Sequence, residues 1–265
     1  MKDSYPIFLI NLDGSSERLS AAHAALDRHG MSFVRISAFD GRKLDPLTIP
    51  EYNQAEARRY MGRGLVGGEI GCFFSHIRAA EAFVATGSPF GLVLEDDMLP
   101  QPDAFELVQK VIDWQEARST TDWYLANLGA QRIKITTPVA TLSASNASAT
   151  ICRAHYFPML TTALLWSREG AIAFLAAWQP IVCPIDNYAR KWLIQSDMGI
   201  AVVPAPFTSS GAQSDIAPAS PTASRNLTGR THTYQWRRNI RLIGDKLKAL
   251  GHKRKFASRG PEEEK

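Results

Sequence analysis

Cysteine is scarce in this chain. Its 265 residues hold three, Cys72, Cys152 and Cys183, an odd number without metal-ligand spacing. That argues against a disulfide framework or a structural zinc site and for a reduced, cytosolic protein. No apolar run approaches the roughly 18 residues of a membrane span. Met1 to Pro6 leads directly into a strand-like run, which leaves no room there for a signal peptide. There is no internal repeat, and no Gly/Ser- or Pro-rich linker divides the first 205 residues. A G-x-G-x-x-G fingerprint is missing after the first strand, which disfavours NAD chemistry, and no H-E-x-x-H supports a zinc protease. The body has no aromatic-rich basic groove, so nucleic acid is not an expected partner.

What is present suits one domain with a full core, at 45% hydrophobic residues. Ile7 to Leu12 reads as a buried strand. A helix from about Glu17 to Gly30 follows, with Ser16 placed to cap it, and then a second strand from Phe33 to Ser37. This β-α-β opening implies a parallel sheet with a crossover helix. Four glycines between Gly62 and Gly68 predict a flexible loop. Next comes a helix from Glu69 to about Ala85 with a core stripe of Ile70, Phe73, Phe74, Ile77 and Val84. Asp122 to Gly129 predicts a strand with a polar end. Residues 138–150, rich in Ala, Ser and Thr, read as a mobile connection. Thr161 to Ser167 reads as a strand, Arg168 to Trp178 as a helix, and Cys183 to Tyr188 leads into a further helix through Leu193.

The chain is organised around Phe90 to Leu99. Leu92, Val93 and Leu94 run into three consecutive carboxylates, Glu95, Asp96 and Asp97, as a buried strand does when it ends in a charged site. In open α/β sheets ligands collect beyond the carboxyl ends of strands. Three adjacent carboxylates repel one another unless a cation or a donor network offsets the repulsion. Hard oxygen ligands suit Mg²⁺ or Mn²⁺ holding a phosphate-bearing substrate. The same residues also suit the start of a solvated loop, with Pro100 and Pro102 as turn residues.

The net charge of +4 is unevenly distributed. Trp236 to Phe256 carries eight Lys/Arg and one acid, Asp245, which is +7, so the other 244 residues sum to −3. Trp236, Ile240, Ile243, Leu247 and Leu250 recur at helical spacings of three and four. A basic amphipathic helix of this kind suits an anionic membrane surface, each cation contributing up to about 1 kcal/mol. It also suits a terminal helix docked on the body with a solvated charged face.

Read from residue types alone, Glu69 is a first-turn acid favoured by the helix dipole and His76 a half-buried histidine. Several segments nevertheless occur together, in order: Ile10-Asn11-Leu12 with Arg18 after it, Ala38-Phe39-Asp40-Gly41, Gly68-Glu69-Ile70-Gly71-Cys72-Phe73-Phe74-Ser75-His76, and Leu94-Glu95-Asp96-Asp97. The pattern resembles glycosyltransferase family 25, which includes bacterial lipooligosaccharide and lipopolysaccharide galactosyltransferases and collagen galactosyltransferases. The match is clear over residues 5 to about 100. It continues more weakly through Thr161 to Asp186 and Val203 to Ile216.

That resemblance implies an α/β, GT-A-like nucleotide-sugar-binding fold, with a mixed, mostly parallel sheet flanked by helices. It also implies inverting transfer of a sugar, usually galactose, from a UDP-sugar. The acidic triplet would correspond to a D-x-D motif. Asp97 would then ligate Mn²⁺ or Mg²⁺, Glu95 would contact the ribose or the metal, and Asp96 would belong to the donor site. Asn11, Arg18 and Asp40 would line the nucleotide pocket, with Glu69, Ser75 and His76 near the donor. Inversion needs a base for the acceptor hydroxyl. Asp186 is the candidate, with a helix N-cap as its alternative role, and Asp215 is the substitute. His232 is the only late histidine before the tail, and nothing around it marks it as a metal ligand. The expected division is a catalytic domain over residues 1–208, a lid or linker over 209–235 and the basic tail over 236–265. The expected protein is cytoplasmic and peripheral at the inner face of the membrane, acting on a lipid-linked oligosaccharide acceptor. A metal-dependent phosphohydrolase and a non-catalytic membrane-docking module on the same fold are the alternatives.

Overall fold

The computed structural model describes residues 5–42, 44–211 and 233–258. Asp215 and His232 lie outside the described residues, as does most of the expected lid. The first strand, β1 (Ile7–Asn11), is followed by helix α1 (Ser16–Asp27) and β2 (Val34–Ser37). As anticipated, β1 and β2 pair in parallel. A short helix, α2 (Gln54–Met61), is capped by Asn53 and ended by Gly62 at a φ of 75°. Helix α3 (Gly67–Thr86) then delivers the chain to β3 (Phe90–Glu95), which lies on the other side of β1, also parallel to it.

After β3 come β4 (Met98–Pro100), α4 (Ala104–Glu116), β5 (Leu125–Asn127), β6 (Lys134–Ser143), β7 (Ser148–Tyr156) and β8 (Ala163–Ser167). The remainder is α5 (Arg168–Ala177), α6 (Ile185–Ser196), β9 (Gly199–Val203), β10 (Phe207–Ser209) and α7 (Tyr234–Ser258). Eight strands form one sheet in the order β2-β1-β3-β8-β5-β9-β7-β6. Only β7 and β8 run against the direction shared by the other six. The sheet is therefore mixed and mostly parallel. A separate antiparallel pair joins β4 to β10 and ties the turn after the acidic triplet to Ser209.

Both faces of the sheet are covered, which is why its strands read as unbroken apolar runs. Phe8, Ile10, Val93, Leu164 and Trp166 face a core completed by α3, α5 and α6. Ile7, Leu9, Leu92, Leu94 and Leu165 face the opposite way, onto α1 and α4. The alternation follows the two-residue period of a strand. Along α3, Ile70, Phe73 and Ile77 are buried as the periodicity predicts, while Phe74 and Val84 are only half-buried.

Three expectations need correction. Residues 138–150 are not a mobile connection but most of the β6–β7 hairpin. Thr136, Thr137, Val139 and Thr141 supply β-branched side chains, and β6 is an edge strand whose register slips next to Pro138, as an edge tolerates. The glycine-rich stretch is not one loop. Gly62 ends α2, whereas Gly67 and Gly68 open α3. The basic tail helix docks on the body, but not through its apolar stripe. Tyr234 and Ala249 are buried, whereas Trp236, Ile240, Ile243, Leu247 and Leu250 are 40–66% exposed. The docking positions stand about two residues, or roughly 200°, around the helix from that stripe.

Helix α3 reaches the 38–41 loop through glycines. A Cβ on Gly71 would sit 2.4 Å from the carbonyl oxygen of Phe39, and one on Gly67 only 2.0 Å from that of Gly41. Both spacings lie far inside contact distance, so helix and loop touch backbone to backbone. Gly71→Ala is accordingly expected to cost about 1–3 kcal/mol, the usual range for overpacking. Urea unfolding would show this as a lower midpoint at an unchanged slope, and an unshifted midpoint would contradict so close an approach.

Candidate functional site

The carboxyl ends of β1 and β3, the loop from Ala38 to Arg42 and one face of α3 enclose a cleft. Its cavity is about 130 Å³ and widens to about 730 Å³ of empty space when the open mouth is included. Asn11, Arg18, Asp40, Ser75, His76, Glu95, Asp96 and Asp97 all line it. Chain order scatters these residues over the first hundred positions. Parallel pairing of β1 with β3 brings Asn11 and the triplet to the same end of the sheet.

Each carboxylate of the triplet meets different surroundings. Glu95 accepts a hydrogen bond on Oε1 from the Thr161 hydroxyl at 2.6 Å, and a His76 ring nitrogen stands 3.1 Å from the same oxygen. Burial alone raises the Glu95 pKa, but hydrogen bonding and attraction from His76, with Thr161 and Arg18, hold it below the usual carboxylate range. Asp96 is saturated by protein donors: Arg18 pairs with Oδ1, and Asn11 donates to Oδ2 at 2.7 Å. Burial still leaves its pKa raised. Asp97 accepts on Oδ2 from the Ser209 hydroxyl at 2.6 Å, while its backbone carbonyl takes the Ser210 N–H at 2.8 Å. Its Oδ1 is buried with no hydrogen-bond partner among the described residues, and burial together with the Glu95 charge raises its pKa. The donor network therefore reaches both oxygens of Asp96 but only one each of Glu95 and Asp97.

That orphaned oxygen is what a hard cation would fill. Glu95 has Oε2 uncommitted, whereas Asp96 has no oxygen to spare. The donor set fits a divalent ion held by Asp97 with support from Glu95. Among the described residues one cluster of mixed ligands is also close-set: Cys72, His76 and Glu95 place one donor atom each within 4.8 Å of one another.

The supporting residues act through the loop. Ser75 Oγ accepts from the Phe39 N–H at 2.9 Å and donates to the Gly71 carbonyl at 2.7 Å, fastening α3 to the loop. Asp40 pairs with Arg42 at 2.7 Å on the exposed side of the cleft. Arg35 donates to Asn11 Oδ1 at 3.0 Å, which fixes the amide so that its NH₂ faces Asp96.

Glu69 is not among the residues lining the cleft. Its carboxylate takes two hydrogen bonds from Arg63, at 2.6 and 2.8 Å, and a third from the Val66 N–H at 3.0 Å. It braces the start of α3, as a first-turn acid does. Asp186 does not line this cleft either. It sits in the first turn of α6, and the helix N-cap is Pro184, so the alternative N-cap role is not the one seen. Its Oδ1 accepts from the Asn187 N–H at 2.7 Å and the Asn187 side chain at 3.0 Å. Burial raises its pKa, and the Glu95 charge adds to that effect, so the two carboxylates lie within electrostatic reach. Thr161, Ser209, Arg42 and Cys72 were not singled out from the sequence. Cys72 had a signal, being one helical turn from His76. Thr161 and Ser209 reach the site only through strand pairing.

Comparison with known proteins bears on this arrangement. The model of the family described as "Glycosyltransferase family 25 (LPS biosynthesis protein)" matches residues 4–189. A glycosyltransferase 25 family member of Drosophila melanogaster is 28% identical over 69% of this chain. Procollagen galactosyltransferase 1 of Danio rerio is 30% identical over 50%, and a human protein named inactive glycosyltransferase 25 family member 3 is 30% identical over 48%. The matched stretches make up only 29%, 22% and 22% of those proteins' own lengths.

Arg18 and Asp96 form a largely enclosed ion pair in the cleft, with side chains 24% and 8% exposed. Arg18→Ala is expected to destabilise the fold by about 1–2 kcal/mol, because a mostly buried carboxylate loses its counter-charge. In an Asp96→Asn background the same change should cost much less. Chemical denaturation of the double-mutant cycle measures the coupling, and equal costs in both backgrounds would show that the pair contributes nothing.

Proposed function

The chain belongs to glycosyltransferase family 25, and from that premise we propose that it moves a sugar, galactose in the first instance, from a UDP-sugar to a saccharide acceptor of the lipooligosaccharide or lipopolysaccharide type. The observation that carries this reading is the cleft at the ends of β1 and β3, where a buried Asp97 oxygen lacks a partner among the described residues beside an Asp96 held by two donors. The galactose choice draws on the relative named as a galactosyltransferase, and the acceptor choice on the family description.

On this reading Asp97, with Glu95, holds a divalent Mn²⁺ or Mg²⁺ ion, which supplies Lewis-acid stabilisation of charge on the departing nucleotide. Asn11 and Arg18 fix Asp96 and shape the floor of the nucleotide pocket. Asp40 and the backbone of the 38–41 loop form its wall, held in place by Ser75. His76 and Thr161 keep Glu95 ionised and immobile. Asp186 takes the proton of the acceptor hydroxyl as that oxygen attacks the anomeric carbon from the side opposite UDP. Its Oδ2 makes no hydrogen bond among the described residues, and its raised pKa makes it a stronger base than an ordinary aspartate.

The tail helix extends the proposal. Its apolar stripe is exposed and basic residues flank it. We infer that α7 rests on an anionic membrane surface, at the cytoplasmic side, where a lipid-linked acceptor would be found. One second reading has an observation behind it. A relative at 30% identity is named inactive, so the fold can outlive the chemistry, and a non-catalytic docking role would follow.

Transfer from UDP-galactose to truncated lipooligosaccharide in the presence of Mn²⁺ is the direct assay. Asp97→Asn should lower kcat by about a hundredfold or more with little change in stability. Activity in cells that survives this change would favour the non-catalytic reading. Asp186→Asn should abolish transfer too, and the acidic limb of the wild-type pH profile should lie above the range of an ordinary aspartate. A carboxyl with a raised pKa in the fold contributes stability only below its unfolded pKa and loses it as pH rises through the folded value. The Asn variant should therefore melt no lower than wild type at pH 7, and a clearly lower melting temperature would assign Asp186 a structural role instead. Vesicles of phosphatidylglycerol and phosphatidylcholine should co-sediment the full chain, and Trp236→Ser with Leu247→Ser should reduce binding about tenfold. Equal binding to purely zwitterionic vesicles would count against the electrostatic half of the idea.

A further inference from the structure

A second cavity, about 500 Å³ and so nearly four times the first, lies between α2, α6 and the amino-terminal half of α7. Four arginines line it, Arg63, Arg190, Arg238 and Arg241, against one acid, Asp245. Sequence position gives no hint of this cluster, because its members come from α6, α7 and the turn after α2.

The arginines differ in how far the protein satisfies them. Arg63 is neutralised by Glu69 at 2.6 Å. Arg241 donates to the Tyr60 carbonyl and lies over the Tyr60 ring, 3.8 Å from its centroid. Arg190 spends only its Nε, on the Phe157 carbonyl at 2.7 Å, and its guanidinium covers the Tyr156 ring. Its terminal nitrogens have no protein acceptor among the described residues, and burial depresses its pKa. Arg238 is exposed and makes no ion pair among the described residues. Among the described residues two guanidiniums thus keep free donors on a cavity lined by a single carboxylate, which cannot balance them. A planar fork of N–H donors recognises phosphate or carboxylate oxygens in pairs.

The location matters as much as the charge. Asn187 lines this cavity and donates to Asp186. Arg63 lines it and grips Glu69, one residue from Gly68 in the wall of the first cleft. The first turn of α6 therefore brings Asp186 next to this cavity, and the first turn of α3 runs between Arg63 here and Gly68 in the first cleft. We propose that the arginine-lined cavity is the acceptor site, and that its ligand is a saccharide carrying a phosphate group. This rests on the transferase reading and adds to it the chemical class of the acceptor. Met159, which is exposed, supplies an apolar rim against which a sugar face can lie, while Arg190 and Arg238 hold the anion.

The probes are glucose 6-phosphate, glucose, inorganic phosphate and UDP with Mn²⁺, titrated calorimetrically into the full chain, with phosphatidylglycerol vesicles as a separate arm. Glucose 6-phosphate should bind, and more tightly than either glucose or inorganic phosphate. Arg238→Glu should weaken it by about tenfold or more without shifting the melting temperature or the affinity for UDP, and Arg190→Gln, which also gives up its bond to Phe157, should weaken it comparably without shifting the affinity for UDP. Absence of glucose 6-phosphate binding, or binding unchanged in both variants, overturns the proposal. So does competition between glucose 6-phosphate and UDP, which would place both in the first cleft. Inorganic phosphate binding as tightly as the sugar phosphate would reduce the cavity to an anion site. Loss of vesicle binding alone in Arg238→Glu would assign the arginines to lipid headgroups. UDP binding reports on the transferase reading separately: if UDP fails to bind while glucose 6-phosphate still does, that reading falls and the anion cavity stands.

Discussion

Three carboxylates in succession at the end of a buried strand are an electrostatic problem, and much of this fold answers it. Glu95, Asp96 and Asp97 point into one cleft, so each needs its own compensation. The helix after β1 brings Arg18, the end of β1 brings Asn11, the helix before β3 brings His76, and the strand antiparallel to β3 is preceded by Thr161. The β4–β10 pair contributes Ser209. Five separate segments converge on four of the six carboxylate oxygens, and among the described residues one buried oxygen, on Asp97, is left unsatisfied. An incomplete set in so well-supplied a place is the structural basis for reading the corner as a binding site.

That convergence depends on how closely helix α3 can approach the sheet end. Gly67 and Gly71 let its backbone rest on the 38–41 loop, and Ser75 fastens the contact with two hydrogen bonds. His76 is thereby carried to Glu95. The residues that mark the family in this segment thus divide by task. The glycines set a distance, Ser75 holds it, His76 meets the carboxylate, and Glu69 with Arg63 braces the helix start from outside the cleft.

Legibility from sequence followed locality. The strands around the site could be read because each is a short apolar run bounded by turn residues, and Asn11, Arg18, Ser75, His76 and the triplet lie in compact motifs. The β6–β7 hairpin was hidden by its Ala and Ser content, since an edge strand has only one neighbour to pack against and shows a weak alternation. Helix α2 was missed because Gln54 to Met61 is mostly polar, with only Ala57 and Met61 buried, and is held by its Asn53 cap and Gly62. Nothing local marks Thr161 or Ser209, which enter through antiparallel pairing with distant strands. Glu69 illustrates the opposite limit: its motif is legible, but its engagement with Arg63, six residues earlier, emerges only once α2 has ended at Met61. The apolar stripe of α7 was read correctly as a stripe. Only the coordinates could show that the helix seats its other side on the body.

On the proposed reading, helix α7 has two working faces at once, one toward the cavity and one toward a membrane. Arg238 and Arg241 help to wall the larger cavity, while Trp236, Ile240, Ile243 and Leu247 look outward from nearly the opposite side of the same turns. Whatever surface receives the stripe thus sets the height of that cavity, at about one helix diameter of 10–12 Å. It also sets the cavity's tilt, because a 25-residue rod fixed along its length cannot pivot freely. Such a rod would act as a spirit level for the enzyme, so that a molecule confined to a plane meets the opening by sliding in two dimensions instead of tumbling in three.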